Sequence, residues 1–523
     1  LGAFLIISID ISNLECYNLF VFFYIKEFPM KKSVKNLLIV IICVVCVLIA
    51  AVGSTGIAVA ATHKNQKKAV IILPGLFASG LYDTETGKAA WDPFDGIDAW
   101  FTDFTGRGGL PIPLLIQLLG EEQFMTVLNN LLANDGKGTP DSMFNMMAMT
   151  EDGEPVVKTI KPVPFDSESR LKYGVVNTHT DIYNTLEEQY GDAYEVQVFN
   201  YDFRLDNRDS AQKLEEYINQ KGYKEVILVS HSNGGSVAAC YFARSQANRD
   251  KTKLYLSFDA PYYGAFAAIG TLENVDRMIS GAVDQLKENS LTKKLATSIE
   301  DIFDNQFTRL LGIWAVYQLL PSYDLLTTQQ YYHVYDEQIK GFSGKSGEPT
   351  QIIKQEAMIN IDGEDVFFKN AEELWDFYCS RPWAKKENGE LRKQMKEWLD
   401  FHDAMKVTLD DGTKVHSTSL VNTQYLSGMG YNNTTKIYYK TDENIEGGLV
   451  QLDKYDFSNQ GDGTVQLYSA TAGTTDISRI NIIPHADHYD VFQRFNLYSK
   501  DITLKLINDE LDTWDKLLIN LYK

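Results

Sequence analysis

Lys224-Glu-Val-Ile-Leu-Val-Ser-His-Ser-Asn-Gly-Gly-Ser236 reads as a buried strand, a very tight turn and the opening of a helix. Val226 to Val229 form a short apolar run of the kind a parallel strand covered on both faces needs. Ser232 falls at the turn. Gly234, Gly235 and Ser236 then lead into a helical stretch carrying Ala238, Ala239, Tyr241, Phe242 and Ala243. The pattern is small-x-Ser-x-Gly, a nucleophile elbow in which Ser230 takes the place of the usual first glycine. A serine there is expected to hold a strained backbone, at a cost of about 1–3 kcal/mol. The residues two before and two after it must be small for strand and helix to close together. Ser230 and Gly234 satisfy that requirement.

The 523 residues suffice for one large α/β domain with insertions, or for two domains. Hydrophobic residues make up 44% and aromatics 12%, which fits a sizeable core. A formal charge of −21 sets nucleic acid aside as a partner, because an acidic surface gains nothing from counterion release. It also opposes an anionic membrane, so contact with lipid must use apolar residues. The five cysteines are Cys16, Cys43, Cys46, Cys240 and Cys379. Three lie in the apolar N-terminal region, and the spacing fits neither a disulfide scaffold nor a zinc site. Cys240, on the helix after the elbow, reads as a small core residue.

Residues 30–61 read as a signal peptide or N-terminal anchor. Met30-Lys31-Lys32 with Lys35 is a basic start, Leu37 to Ala51 is almost wholly apolar, and Ala58-Val59-Ala60 is an A-x-A cleavage pattern. An uncleaved stretch from Leu37 to Ala61 could also span a bilayer. Either way the lysines stay inside, and the body is expected to be secreted or membrane-anchored, outside the cytoplasm. Residues 1–29, rich in Ile, Phe, Leu, Tyr and Asn and without methionine, read as an artificial upstream extension.

Beyond this the chain alternates strand and helix. Ala69–Leu73 is a strand ending in Pro74-Gly75, and Tyr194–Phe199 is another, preceded by a helical pattern at Asp181–Tyr190. Asp209–Lys221 is an amphipathic helix, and Leu254–Phe258 is the strand after the elbow. The rhythm then stops, to resume at Gln424–Ser427 and Arg479–Ile483. This predicts a doubly wound, mostly parallel sheet of the α/β-hydrolase fold, with core segments 69–270 and 420–510. Residues 271–419 are expected to form an inserted helical, aromatic-rich cap, for example at Leu310–Leu320 and Glu372–Trp398. Residues 81–166 form a smaller lid-like insertion. Its apolar stretch, from Leu110 to Leu119 and on through Phe124, Val127, Leu128, Leu131 and Leu132, suits a lid or membrane-touching surface; the alternative is plain internal packing.

A serine nucleophile needs a base, and the base an orienting acid. Of the eight histidines, His231 is expected to point away from Ser232, His63 lies near the start, and His179, His333, His402 and His416 precede helical or cap segments. The chain order Ser, acid, His places the base after the last strand, at His485 or His488 in Pro484-His-Ala-Asp-His-Tyr489. The acid belongs in a loop after the penultimate strand. Asp462, in Asn459-Gln-Gly-Asp-Gly-Thr-Val465, fits, although an Asp-Gly turn can be merely a turn. Asp259, at the end of the strand after the elbow, is its rival. Backbone N–H groups of Leu76, after Pro74-Gly75, and of Asn233 are the expected oxyanion donors. Losing one such donor costs about 3–4 kcal/mol.

In this ordered set the chain resembles the lecithin:cholesterol acyltransferase family, which includes phospholipase A-type lysosomal enzymes. Ile72-Leu-Pro-Gly75, Asn200-Tyr-Asp-Phe-Arg-Leu205, Ser230-His-Ser-Asn-Gly234, Ser257-Phe-Asp-Ala-Pro-Tyr-Tyr-Gly264, Gly461-Asp-Gly-Thr-Val465 and His485-Ala-Asp-His488 carry the likeness. The resemblance implies Ser232 as nucleophile, Asp462 rather than Asp259 as acid, and His488 as base. It reads Tyr201, Asp202 and Arg204 as structural, an ion pair supporting the elbow. Ser230 for glycine and the lack of a lid cysteine pair are departures from the family pattern. The implied function is a serine acyl-ester hydrolase or acyltransferase acting on lipid esters through an acyl-enzyme, with no cofactor and no metal. A catalytically lapsed binding protein on the same scaffold, or a serine peptidase of this fold, are the alternatives.

Overall fold

The computed structural model describes residues 67–91, 143–165, 180–273, 311–332, 349–354, 359–444, 447–458, 460–492, 497–512 and 515. The extension, the apolar N-terminal stretch, the run from Leu110 to Leu132 and His63, His179 and His333 lie outside the described residues.

Six strands build the central sheet: β1 (Lys68–Leu73), β2 (Glu195–Val198), β3 (Glu225–His231), β4 (Thr252–Phe258), β5 (Thr423–Met429) and β6 (Ile480–Pro484). Their order across the sheet is β6-β5-β4-β3-β1-β2, and every pairing is parallel. Val70, Ile72, Ile227 and Val229 pack into one cluster with Ile182, Leu186 and Ile507. Ala69, Ile71, Val226 and Leu228 pack into another with Leu214, Ile218 and Val237. Helices Thr180–Tyr190 and Leu497–Glu510 contribute to the first cluster, Asn207–Lys221 and Asn233–Arg244 to the second. Both faces are dry, which is why Val226–Val229 has no polar alternation. Each fully buried aliphatic side chain contributes about 1.5–3 kcal/mol.

The order reverses at β1, flanked by β2 on one side and β3 on the other. In such sheets the crevice outside the carboxyl ends at the reversal is where ligands bind. The turn after β1 and the elbow after β3 meet there. A Cβ on Gly234 would lie 2.6 Å from the carbonyl oxygens of Leu73 and Pro74, so only glycine lets the elbow helix close on the end of β1.

The regions outside the sheet differ from a purely helical cap. Helices Trp314–Gln318, Ala371–Cys379 and Trp398–Ala404 are present, but strands Ile359–Ile361 and Glu364–Val366 join Asn433–Thr441 and Leu449–Ser458 in a four-stranded sheet. The latter two strands come from the segment read as core. Thr434, Thr435, Ile437, Tyr438 and Tyr439 are β-branched or aromatic, a strand composition that the β/α rhythm masked. A buried ion pair from Arg381 Nε to Glu273 Oε1, 2.7 Å, fastens this unit to the helix Phe266–Glu273, and Tyr439 donates to the same oxygen at 3.1 Å. In the smaller insertion Leu81–Asp83, Ala89–Trp91 and Ile160–Pro162 form a three-stranded antiparallel sheet. Among the described residues no helix is long and apolar enough to cross a membrane.

His402 and His416 are buried between cap and core, with His416 4.8 Å from the ring of Tyr262. Burial pushes both imidazoles down to about 3. They are therefore neutral structural groups.

Two predictions follow from packing and burial. Gly234→Ala should lower stability by roughly 2–4 kcal/mol in equilibrium denaturation, against about 1 kcal/mol for Gly412→Ala. Gly412 has φ 85° but open space around it, so equal costs would refute the steric argument. For the two histidines, the unfolded chain binds protons below about pH 6.5 that the folded chain refuses until about pH 3, so stability falls as pH drops through that window. The loss should be on the order of 2–3 kcal/mol per histidine by about pH 4. His416→Gln should flatten part of that slope; an unchanged slope would count against it.

Candidate active site

Three strand ends at the carboxyl edge share one backbone device. Ser232, Asp259 and His485 follow β3, β4 and β6 with φ of 51°, 44° and 54°. Each amide completes the ladder: Ser232 N–H donates to Phe258 O (2.9 Å), Asp259 N–H to Leu426 O (3.1 Å) and His485 N–H to Met429 O (2.8 Å). The chain then leaves the sheet through the left-handed region, which non-glycine residues adopt only under strain.

Ser232 is the N-cap of the elbow helix (ψ −127°) and Asn233 its first residue, so the Asn233 amide belongs to a helix N-terminus. The turn after β1 lies against it. A Cβ on Gly75 would come within 3.1 Å of both Ser232 Cβ and His231 Nδ1. Leu76 continues that turn, which Ala78 N–H closes on Gly75 O at 3.2 Å.

Asp462 reaches the edge by an indirect path. After β5 the chain makes the excursion through Asn433–Ser458 and returns beside its own starting point, where Tyr431 N–H donates to Gly461 O (3.2 Å) and Tyr431 bridges Asp462 in parallel. Asp462 Oδ1 accepts the amides of Thr464 and Val465, both at 2.7 Å. Its Oδ2 lies 2.5 Å from His488 Nδ1, and His488 N–H donates to the Asp462 carbonyl at 3.1 Å. Facing a carboxylate, Nδ1 carries the proton and Nε2 keeps its lone pair free to act as a base. His485, the other candidate base, is exposed.

His231 is more than a neighbour that points away. Its ring is buried, stacked on Phe492 at 4.9 Å and 5°, and its Nε2 donates to the His488 carbonyl at 2.9 Å. The rings of His231 and His488 are 4.7 Å apart. The residue before Ser232 therefore anchors the loop that carries His488. No spacing rule signals this, because it depends on the ends of β3 and β6 sharing one edge of the sheet with β4 and β5 between them.

The Tyr-Asp-Phe-Arg segment divides its work. Arg204 pairs bidentately with Asp202 (2.8 and 2.7 Å), fully buried, and its Nη1 donates to Met146 O at 3.0 Å. That pair holds the segment itself. Contact with the elbow is made by Tyr201, whose hydroxyl donates to Pro74 O (2.8 Å) and accepts from Asn233 Nδ2 (3.1 Å). Asn207 and Asn233 exchange side-chain amide bonds of 2.8 and 3.0 Å. Ser230, the departure from glycine, uses its hydroxyl in a buried chain: 2.6 Å to Tyr255, which lies 2.8 Å from Tyr262, itself 2.7 Å from Ser257.

Asp259 is fully buried and accepts the Gly428 amide on both oxygens at 3.1 Å. Asp259, Asp462 and His488 hold ligating atoms within 4.8 Å of one another. In composition such a trio could take a cation, but Nδ1 and Oδ2 are already engaged with each other, and this donor set does not call for a metal.

The fold and the elbow define an α/β-hydrolase. The lecithin:cholesterol acyltransferase family profile matches residues 143–480, and the chain belongs to this family. Membership places it among the enzymes that transfer or hydrolyse lipid acyl groups. The matched span includes Ser232, Asp259 and Asp462; His488 lies just beyond its end. Among solved structures, a chain in the crystal structure of the Tle4–Tli4 complex is similar at 12% identity and a TM-score of 0.40, over 88% of this chain and 99% of that one. No curated protein matches by sequence.

Tyr201→Phe deletes a donor to the turn after β1 and an acceptor for Asn233. We expect a stability loss of about 1–2 kcal/mol and roughly tenfold lower kcat on a soluble acyl ester with KM little changed. A loss confined to stability would show that the hydroxyl does not set the geometry of the site.

Proposed function

We propose that this protein is a serine-dependent lipid acyl-ester hydrolase or O-acyltransferase. The observation that carries the reading is the 2.5 Å contact of His488 Nδ1 with Asp462, on a loop held by the residue preceding Ser232. His488 Nε2 takes the Ser232 proton as the hydroxyl attacks an acyl ester, and Asp462 keeps the imidazole in the required tautomer and stabilises its cation. The amides of Leu76 and Asn233 hold the oxyanion. The alcohol or lysolipid leaves with the proton from His488, giving an acyl-enzyme. Water then completes hydrolysis, or a bound alcohol completes transfer. No cofactor enters these steps. A lipid ester is favoured over a peptide by the family and by the exposed side chains of Tyr489, beside His488, and of Leu497 and Tyr498 in the following helix. We also propose that the body acts outside the cytoplasm, secreted or anchored by residues 30–61, on the strength of the basic-then-apolar pattern there.

Product analysis on mixed phospholipids, with and without added long-chain alcohol, tests the reading. Wild type should release fatty acid or form a new ester. Ser232→Ala and Asp462→Asn should each lower turnover by roughly a thousandfold or more. Fluorophosphonate should label wild type at Ser232. Unlabelled Ser232 in folded protein, or turnover surviving Ser232→Ala, would sink the assignment.

A further inference from the structure

Asp259 has no place in the mechanism above, yet it is buried against the acid of the site. Both carboxyl groups are buried, at 0% and 1% exposure, and among the described residues no Lys or Arg forms an ion pair with either. A Cβ on Gly428, whose amide binds Asp259, would lie 3.0 Å from Asp462 Cβ. The two carboxyl groups hold oxygens within 4.8 Å of each other, and at that range, buried and with neither Lys nor Arg paired to them, like charge disfavours ionising both. The acceptor positions of Asp462 point the same way. A carboxylate offers about four lone-pair directions; Thr464, Val465 and His488 occupy three of them, and one remains.

We propose that Asp259 keeps its carboxyl proton at neutral pH and donates it in a hydrogen bond to Asp462, so that it is a positioning residue for the acid of the site. This rests on the serine-hydrolase reading for its consequence in catalysis, but not for its existence. Burial, and next the Asp462 charge, hold the Asp259 carboxyl well above the usual carboxylate range. The groups facing it are the Gly428 amide and Ser427 hydroxyl of β5, Asp462 and His488. The pair carries one negative charge in all. Sharing that charge with a second proton makes Asp462 a weaker partner for the imidazolium.

Asp259→Asn and Asp259→Leu separate the cases, with His488 followed by NMR titration and turnover by the pH profile of kcat/KM. Asn keeps a neutral donor, so kcat/KM should stay within about threefold and the acid limb should not move. Leu removes the donor, and both the His488 titration and the acid limb should rise by roughly half to one pH unit. Difference infrared spectra at neutral pH should show a protonated carboxyl band in wild type that Asp259→Asn lacks. Above about pH 4 the unfolded chain releases the proton that the folded chain keeps, so wild type should lose stability relative to Asp259→Asn as pH rises. Absence of the carboxyl band, a fall of about one unit in the His488 titration of Asp259→Asn, or parallel stability curves would overturn the proposal. So would loss of turnover in Asp259→Asn with Asp462→Asn still active. The spectroscopic and stability measurements need no substrate, so a failed lipid assay would leave them standing.

Discussion

A parallel strand that has donated its last ladder bond must leave the sheet at its next backbone step. Here three strand ends do so through the left-handed region, at Ser232, Asp259 and His485. The register of β3, β4, β5 and β6 sets these exits along one edge. Strain of about 1–3 kcal/mol per residue is sustained because the ladder below is dry on both faces and the amides above it are already bonded. The rest of the site depends on this edge. Without it, Ser232 and the loop bearing His488 would have no common frame.

Short ties between the loops at separate strand ends complete the frame. His231 reaches from the end of β3 to the loop after β6, and Tyr201 reaches from beyond β2 to the turn after β1. Each joins one loop to another through a buried polar atom, where an unpaired group costs about 1–3 kcal/mol. The same economy appears under the elbow. Ser230, placed where a hydrogen would suffice, occupies its hydroxyl with Tyr255 and so remains compatible with a closed interior.

Much of the architecture was legible in the chain. The apolar runs of β1, β3 and β4 announce a parallel sheet because both faces are covered, and the glycines at 75 and 234 mark places where backbone meets backbone. The four-stranded sheet above the core was not legible. Its strands come from two stretches separated by more than the length of β5, and one of the pairings, Ile359–Ile361 with Asn433–Thr441, is parallel. No local periodicity reports a pairing between distant segments. The path of Asp462 was hidden for the same reason, since the excursion between β5 and this residue disguises how near it is to the strand end.

Local chemistry, readable from one stretch at a time, determined that a serine stands at a strand-to-helix turn and that an Asp-Gly loop and a histidine loop follow in order. Only the tertiary structure decided which acid bonds to which histidine. Asp462 and Asp259 are equivalent as letters, each at the end of a strand or a strand-like return. They differ in three dimensions because the Asp462 loop turns its Oδ2 to His488, while the backbone at Asp259 turns its carboxyl down onto the Gly428 amide. Direction, and not proximity, separates the two, and direction is a property of the folded backbone.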